Sequence, residues 1–294
     1  MRFSSKILLF GEYSVLQGSD ALLIPFPEYS GLFDFYSDYS NPNSDEVKSN
    51  QILMGFMDYI QKYEVKGNID VERFSRDLSS GLYFKSNIPL GYGVGSSGAL
   101  VAAFYHQYFQ PNEEDLLVTK QNLATLESYF HGSSSGLDPL VSYINKPILQ
   151  TNGRVNALDF KNFGIKPFLI DTGISRSTAD FVSVFNHKVS DLEFKILIKN
   201  DLVRLSNLAI NLFLSGQKSE FFAVLKELSQ FQLTHLNEMI LPEYQSIWKD
   251  GIESEDYHLK LCGAGGGGFL LGFARNENAV DYLKKKYQLR ISSV

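Results

Sequence analysis

The order of apolar and polar residues predicts a chain that mixes short strands with longer helices. Apolar stretches of strand length, most of them bounded by glycine or polar turns, predict strands at residues 6–10, 21–26, 31–37, 68–74, 81–88, 167–171, 258–262 and 268–274. Apolar residues at helical spacing predict helices over residues 51–63, 99–109 and 113–129, and a mostly helical region from 177 to 241. The segments 140–144 and 146–150 fit either a strand or a short helix.

The predicted strands and helices do not alternate regularly, which favours an α+β fold over a doubly wound parallel sheet. A chain of 294 residues is long enough for two domains. The polar stretch at residues 150–165 is the best place for a boundary, so we expect an N-terminal domain over 1–155 and a C-terminal domain over 156–294.

Composition narrows the classes of partner. The net charge is −6 and the longest basic run is Lys284–Lys286, so nucleic-acid binding is not expected. A single cysteine, Cys262, excludes a disulfide framework and favours a reducing compartment. The apolar run at residues 7–10 is too short for a secretory signal, and no 18-residue apolar stretch occurs, so we expect a cytoplasmic protein without a membrane span.

The stretch IPLGYGVGSSGAL, residues 88–100, contains the pattern G-x-G-x-x-G. A dinucleotide-binding fold is a weak interpretation, because Pro89 is a poor end for a central strand and the region near Val118 reads as helix. No Gly-Lys-Ser/Thr follows, so this is not a Walker A loop. Glycines beside Ser96 and Ser97 at a helix start can instead cradle a phosphate, although a tight strand-to-helix turn stays open as the alternative.

A second glycine-rich stretch, KLCGAGGGGFLLGF, occupies residues 260–273 between apolar strand patterns. Such a turn could close over a substrate or a nucleotide, whereas a simple flexible connector is less consistent with the strands on both sides.

Carboxylates and one lysine complete the candidate chemistry. Asp138 lies among small and apolar residues and could orient or deprotonate a hydroxyl. Glu127, with a serine, could supply oxygen ligands for Mg²⁺. Lys6, in an apolar strand that leads to Glu12, could stabilise a developing negative charge. Taken one at a time, each of these side chains could equally be a surface or strand-edge residue.

Five motifs in fixed order give the chain a resemblance to the GHMP kinases, and within them most closely to the mevalonate kinase branch. The matching segments are KILLFGEY at 6–13, the loop from Pro89 to Gly98, HGSSSGLDP at 131–139, Thr172 with Arg176 and Thr178, and KLCGAGGGG at 260–268. Tyr13 stands where this branch has a histidine, and Pro139 stands where it has an asparagine.

The resemblance implies an N-terminal domain with a left-handed βαβ unit, a ferredoxin-like C-terminal domain, and ATP and Mg²⁺ as cofactors. Asp138 and Lys6 would be catalytic, and Ser97 and Glu127 would hold the metal. The ATP phosphates would lie on Pro89, Gly91, Gly93, Val94, Gly95, Ser96, Ser97 and Gly98. The substrate, mevalonate or a similar alcohol, would contact Glu12, Tyr13, His131, Gly136, Arg176, Thr178, Gly263, Ala264, Gly265 and Gly266.

Three alternatives remain at this stage. The acceptor could be phosphomevalonate, homoserine or a sugar, although a phosphorylated acceptor would need more cations than Arg176 alone. The chain could also be a non-catalytic binding protein on the same fold, or a nicotinamide dehydrogenase. Either a monomer or a homodimer is compatible with the sequence.

Overall fold

The computed structural model describes residues 1–62, 67–111, 115–159, 164–175 and 178–294. In the first half of the chain the strands are β1 (Phe3–Phe10), β2 (Ala21–Phe35), β3 (Gly67–Ile69), β4 (Leu82–Ser86), β5 (Phe109–Pro111), β6 (Ile148–Thr151) and β7 (Arg154–Ala157). The helices are α1 (Ser44–Ile60), α2 (Val71–Ser79), α3 (Ser96–Tyr108), α4 (Leu116–His131) and α5 (Leu137–Ile144), with a 3-10 turn at Ser14–Gln17.

The second half of the chain contains four strands and several helices. The strands are β8 (Pro167–Asp171), β9 (Tyr257–Leu261), β10 (Phe269–Ala274) and β11 (Arg290–Ser293). The helices are α6 (Thr178–Val189), α7 (Leu192–Leu197), α8 (Arg204–Ser215), α9 (Lys218–His235), α10 (Pro242–Ser254) and α11 (Glu277–Tyr287), with a π-helical segment at Ile198–Val203 and a 3-10 turn at Asn237–Met239.

Two larger sheets organise these elements. The first has the order β1-β2-β6-β7, with β4 also paired to β2, while β3 and β5 form a separate two-stranded sheet. The second sheet has the order β11-β8-β10-β9 and is antiparallel at each pairing. Helices follow β8 and β10, so this half has the βαββαβ connectivity and 4-1-3-2 order of a ferredoxin-like domain.

Aromatic packing joins the two sheets. Phe10 at the end of β1 stacks on Phe273 of β10 with 5.6 Å between ring centroids, and it meets Phe221 of α9 edge-on at 6.0 Å. All three rings are buried, and such pairs add to the free energy of burial. The strand that carries Lys6 is therefore held directly against the second sheet.

The α+β fold class is confirmed, but two local predictions were wrong. The two strands predicted at 21–26 and 31–37 are one strand, β2, because β1 pairs with both parts. A register shift between Ser4 and Ser5 leaves residues 27–29 of β2 without a partner in β1. The strand predicted at 68–74 is wrong beyond Ile69: β3 ends there, and helix α2 begins at Val71.

Helix α2 forms because its start is capped and one of its faces is apolar. The Asp70 carboxylate accepts a hydrogen bond from the backbone N–H of Arg73, which is a standard cap. Phe74 and Leu78, spaced by four residues, are both buried.

The structure decides some of the other predicted elements and boundaries and leaves others untested. Residues 140–144 lie in helix α5, and 148–150 lie in β6. The predicted helix limits at Tyr63 and Glu113 lie outside the described residues. The predicted division between residues 155 and 156 falls within β7 and stays a prediction. Within the part of the chain that the structure describes, no helix is both long and apolar enough to cross a membrane.

Candidate active site

Lys6 and Asp138 form an ion pair at the centre of the site. Lys6 lies on β1, is 5% exposed, and its Nζ is 2.8 Å from Oδ2 of Asp138 in the first turn of α5. The same ammonium group donates a hydrogen bond of 3.0 Å to the carbonyl of Gly93. The Asp138 side chain is 34% exposed, so a small molecule can reach this carboxylate while the lysine stays shielded from water.

The first glycine loop wraps around Lys6. Gly91, Gly93 and Gly95 all have positive φ, and Gly95 is the residue from which α3 starts. A Cβ on Gly95 would lie 2.9 Å from Cγ of Lys6, so a side chain there would collide with the lysine. The loop also accepts the backbone N–H of Lys6 at the carbonyl of Val94, over 2.9 Å. Glycine is therefore required for the close approach of the loop to the strand that carries Lys6.

Two helix N-termini meet beside the ion pair. Helix α3 starts at Ser96 after Gly95, and α5 starts at Leu137 after Gly136, so neither cap residue has a side chain. In α5 the N–H of Leu137 donates to Ser135 Oγ over 3.3 Å. A Cβ on Gly98 would lie 3.0 Å from the backbone of Asp138 and Pro139, which shows how closely the two helix starts pack. Because the first amides of a helix lack partners within it and carry partial positive charge, this junction suits phosphate oxygens.

Pro139 is compatible with this arrangement. It is the third residue of α5, within the first turn. N–H groups in that turn have no intrahelical acceptor, so a proline there removes no helix hydrogen bond. Replacing asparagine by proline therefore leaves Asp138 on a regular helix start.

Glu127 is a buried carboxylate at the far side of the junction. It is 4% exposed, and its two oxygens accept hydrogen bonds from the hydroxyls of Ser97 (3.0 Å) and Ser134 (2.5 Å). Burial, and secondly the charge of Asp138, raise the pKa of Glu127 to about 7. The exposed ring of His131 lies 2.9 Å from Ser97 Oγ through its Nε2.

The donor set fits Mg²⁺. Among the described residues no cluster of three or more histidine, cysteine and acidic side chains could form an all-protein metal cage. Mg²⁺ commonly takes only one or two carboxylates and fills its octahedron with water and substrate phosphates. The charge repulsion between Glu127 and Asp138 that raises the glutamate pKa is the repulsion that a divalent cation would relieve.

The second glycine loop closes on the first. Gly268 has φ +66, and a Cβ there would lie 2.7 Å from the carbonyl oxygen of Tyr92. The N–H of Gly268 donates to the carbonyl of Ile174, and the N–H of Gly266 donates to that of Met239. Both glycine-rich turns therefore line one site, and the connector interpretation of residues 263–268 no longer fits.

The side chains of Glu12 and Tyr13 contact other parts of the protein. Glu12 Oε1 is 2.5 Å from Nζ of Lys260, and both side chains are almost fully buried. Burial raises the pKa of Glu12, and the Lys260 ammonium opposes this rise. The hydroxyl of Tyr13 donates a 2.6 Å hydrogen bond to the carbonyl of Ala264. Direct substrate contact by these two residues stays a prediction.

The structure describes only some of the remaining predicted site residues. Gly136 packs against α4, where a Cβ would lie 2.2 Å from the carbonyl of Lys120. Arg176 lies outside the described residues, and Thr178 is described only as the first residue of α6. Sequence reasoning placed Lys260 in the motif at 260–268 but gave it no role, although a lysine within an otherwise apolar strand, just before a glycine run, is a usable signal.

The sheet topology removes the dinucleotide alternative. A Rossmann fold needs parallel strands, whereas the strand before the loop, β4, is antiparallel to its partner β2. The region around Val118 lies in helix α4, where no acidic residue could end a second strand.

Comparisons with known proteins agree with this geometry. The profile of the GHMP kinases N terminal domain family matches residues 54–146. The mevalonate kinase of Pyrococcus abyssi is 25% identical over 299 residues, covering 92% of this chain and 87% of the relative. The mevalonate kinase of Archaeoglobus fulgidus is 27% identical over 282 residues, covering 92% and 91%.

Solved structures share the fold over the full chain. The L. major mevalonate kinase in complex with R-mevalonate has a TM-score of 0.68 at 19% identity, covering 100% of this chain and 94% of that one. The Streptococcus pneumoniae phosphomevalonate kinase has a TM-score of 0.64 at 15% identity, covering 100% and 98%. The fold is thus common to enzymes with different acceptors. Residues 54–146 thus match the GHMP kinases N terminal domain family, and the chain is similar over most of its length to mevalonate kinases.

Proposed function

We propose that this protein is an ATP- and Mg²⁺-dependent mevalonate kinase, which transfers the γ-phosphoryl group of ATP to the C5 hydroxyl of mevalonate in isoprenoid precursor synthesis. The observation that carries the proposal is the Lys6–Asp138 ion pair at the junction of two helix N-termini and two glycine loops. The choice of mevalonate rests on the sequence relatives, because the fold alone is shared with a phosphomevalonate kinase.

Asp138 would receive the acceptor hydroxyl. Its carboxylate is accessible, and its position on the first turn of α5 is fixed by the packing of Gly98 against the same turn. A carboxylate in this position can accept the hydroxyl proton or hold the hydroxyl in line with the phosphoryl group.

Lys6 would stabilise the alkoxide that develops on the acceptor oxygen. Its ammonium already bridges Asp138 and the carbonyl of Gly93, so it lies between the acceptor side and the phosphate side of the site. A charge that is shielded from water and preorganised in this way acts more strongly than one in solvent.

Ser97 and Glu127 would hold Mg²⁺, which when bound neutralises charge on the phosphates. Phosphate oxygens would meet the amides at residues 95–98 and the loop from Pro89 to Val94. His131, Gly136, Arg176, Thr178 and the loop at 263–266 would surround the acceptor. A cytoplasmic location, a monomer or homodimer, and an absence of nucleic-acid or membrane partners complete the proposal.

The first experiment is a coupled ADP-release assay with Mg-ATP and a panel of acceptors: mevalonate, phosphomevalonate, homoserine, galactose and none. We expect turnover with mevalonate alone. Turnover with a different acceptor would keep the mechanism and reject the substrate, and no turnover with any acceptor would reject both.

The variant Asp138→Asn tests the chemistry separately. We expect it to lose turnover while it still binds nucleotide, because the amide keeps the shape but cannot accept a proton. Retained turnover would remove Asp138 from the role of base.

A further inference from the structure

A buried ion pair connects the two halves of the molecule next to the site. Glu12 and Lys260 are separated by 248 positions in the sequence, yet their charged atoms are 2.5 Å apart and their side chains are 2% and 0% exposed. The Lys260 ammonium also lies 5.3 Å from the ring centroid of Phe10 and donates to the carbonyl of Leu261. Its charge is thus satisfied entirely within the protein.

The Glu12–Lys260 pair joins β1 to the second glycine loop, and the position of this loop relative to β1 shapes the site. Glu12 follows β1, the strand that carries Lys6, after a single glycine. Lys260 is near the end of β9, three residues before Gly263 and the second glycine loop. A shift of one partner would therefore move the glycine loop relative to Lys6.

Tyr13 makes a second connection between the same segments. Its hydroxyl donates to the carbonyl of Ala264, inside the glycine loop, and its ring stacks on Phe185 at 4.5 Å. The residue has φ +62, an unfavourable backbone conformation for a bulky side chain. Such a conformation persists where surrounding contacts determine it, which is typical of functional sites.

We propose that Lys260 is a positioning residue of this enzyme. Together with Glu12, Tyr13 and Ala264 it forms what we call the loop anchor, which fixes the glycine loop at 263–268 against the Lys6–Asp138 centre. The inference rests on the proposed kinase function and adds a residue that acts through the loop without touching the substrate. A displacement of about 1 Å at such a loop is enough to reduce turnover severely.

If the Glu12–Lys260 pair only stabilised the fold, the variants would behave differently. Removing one partner of a buried pair leaves an uncompensated charge and destabilises the fold, whereas replacing both partners by uncharged residues of similar size often restores stability. If the pair served stability alone, the double replacement would restore activity as well.

The test compares Lys260→Met, Glu12→Gln and the double variant with the wild type. The matched control is the double variant Lys146→Met/Asp159→Asn, which removes an exposed ion pair with 3.1 Å between charged atoms. Thermal unfolding, kcat and KM in the ADP-release assay, and hydrogen exchange of the backbone amides of Gly266 and Gly268 are measured for each protein.

We expect the double variant to unfold within about 4 °C of the wild type, with kcat lower by about ten-fold and faster exchange at the two glycine amides. The control should match the wild type in all three measurements. A double variant with normal kcat and normal amide exchange would overturn the proposal.

Two further observations distinguish a failure of the loop-anchor proposal from unfolding of the charged variants and from a failure of the proposed kinase function. Tyr13→Phe keeps the ring but removes the hydroxyl, so it tests the loop anchor even if the charged variants do not fold. We expect faster Gly266 exchange and a lower kcat, and unchanged values would count against the anchor. Amide exchange does not depend on the acceptor, so a wild type that turns over nothing would reject the proposed function while the exchange data still judge the anchor.

Discussion

Replacing Lys6 by methionine removes the positive charge that forms an ion pair with Asp138 among the described residues. The ammonium lies 2.8 Å from the carboxylate and is 5% exposed, while the carboxylate is 34% exposed. Two unit charges about 4 Å apart interact by about 4 kcal/mol at an effective dielectric constant of about 20, and partial exposure reduces this value.

We therefore expect a loss of about 3 kcal/mol of transition-state stabilisation, or about two orders of magnitude in kcat. Methionine fits the apolar surroundings of the lysine stem, and Asp138 can still reach water, so the fold should survive. Lys6→Arg should not restore activity, because the larger guanidinium has little room here. The loop packs so closely on the lysine stem that a Cβ on Gly95 would lie 2.9 Å from Cγ of Lys6.

The assay is steady-state ADP release with saturating Mg-ATP, together with thermal unfolding of each variant. Lys85→Met is the matched control, because Lys85 forms an exposed pair with Asp34 at 3.2 Å in the same half of the chain. A Lys6→Met variant with a kcat within about three-fold of the control would refute the electrostatic role of Lys6.

Three further predictions concern Glu127, Gly268 and His258. The raised pKa of Glu127, about 7, means that binding of Mg²⁺ with ADP should strengthen as pH rises from 6 to 8; calorimetric titration should show this dependence, and Glu127→Gln should flatten it. Gly268→Ala should reduce kcat/KM about ten-fold, because a Cβ would lie 2.7 Å from the carbonyl of Tyr92. Gly153→Ala is its control, with φ +75 and nothing within 4 Å, and equal kinetics in the two variants would contradict the contact. Burial, and secondly the charges of Arg275 and Lys226, lower the pKa of His258 to about 4. The neutral ring therefore favours the fold above pH 6.5, and about 3 kcal/mol of this contribution is lost as pH falls to 4, because the unfolded state then binds the proton more readily. Denaturant unfolding of His258→Leu should lack this part of the acid sensitivity, and identical pH profiles for variant and wild type would exclude it.

The sequence alone determined those features of this protein that depend on residues adjacent in the chain. Glycine spacing, two serines and a helix start in one short stretch predict a phosphate loop, since backbone freedom and helix amides are properties of adjacent residues. Where local signals competed, sequence reasoning failed. The cap at Asp70 made a helix of a segment that looked like a strand, and pairing with β1 joined two predicted strands into β2.

The tertiary structure alone decided which distant residues meet. Lys6 reaches Gly93, which is 87 positions away, and Glu12 reaches Lys260, which is 248 positions away. Nothing in the spacing of these residues specifies such contacts, because they depend on how the first sheet packs against the second through Phe10 and Phe273. A buried charge must find an opposite charge within the fold, and only the packed chain determines which residue supplies it.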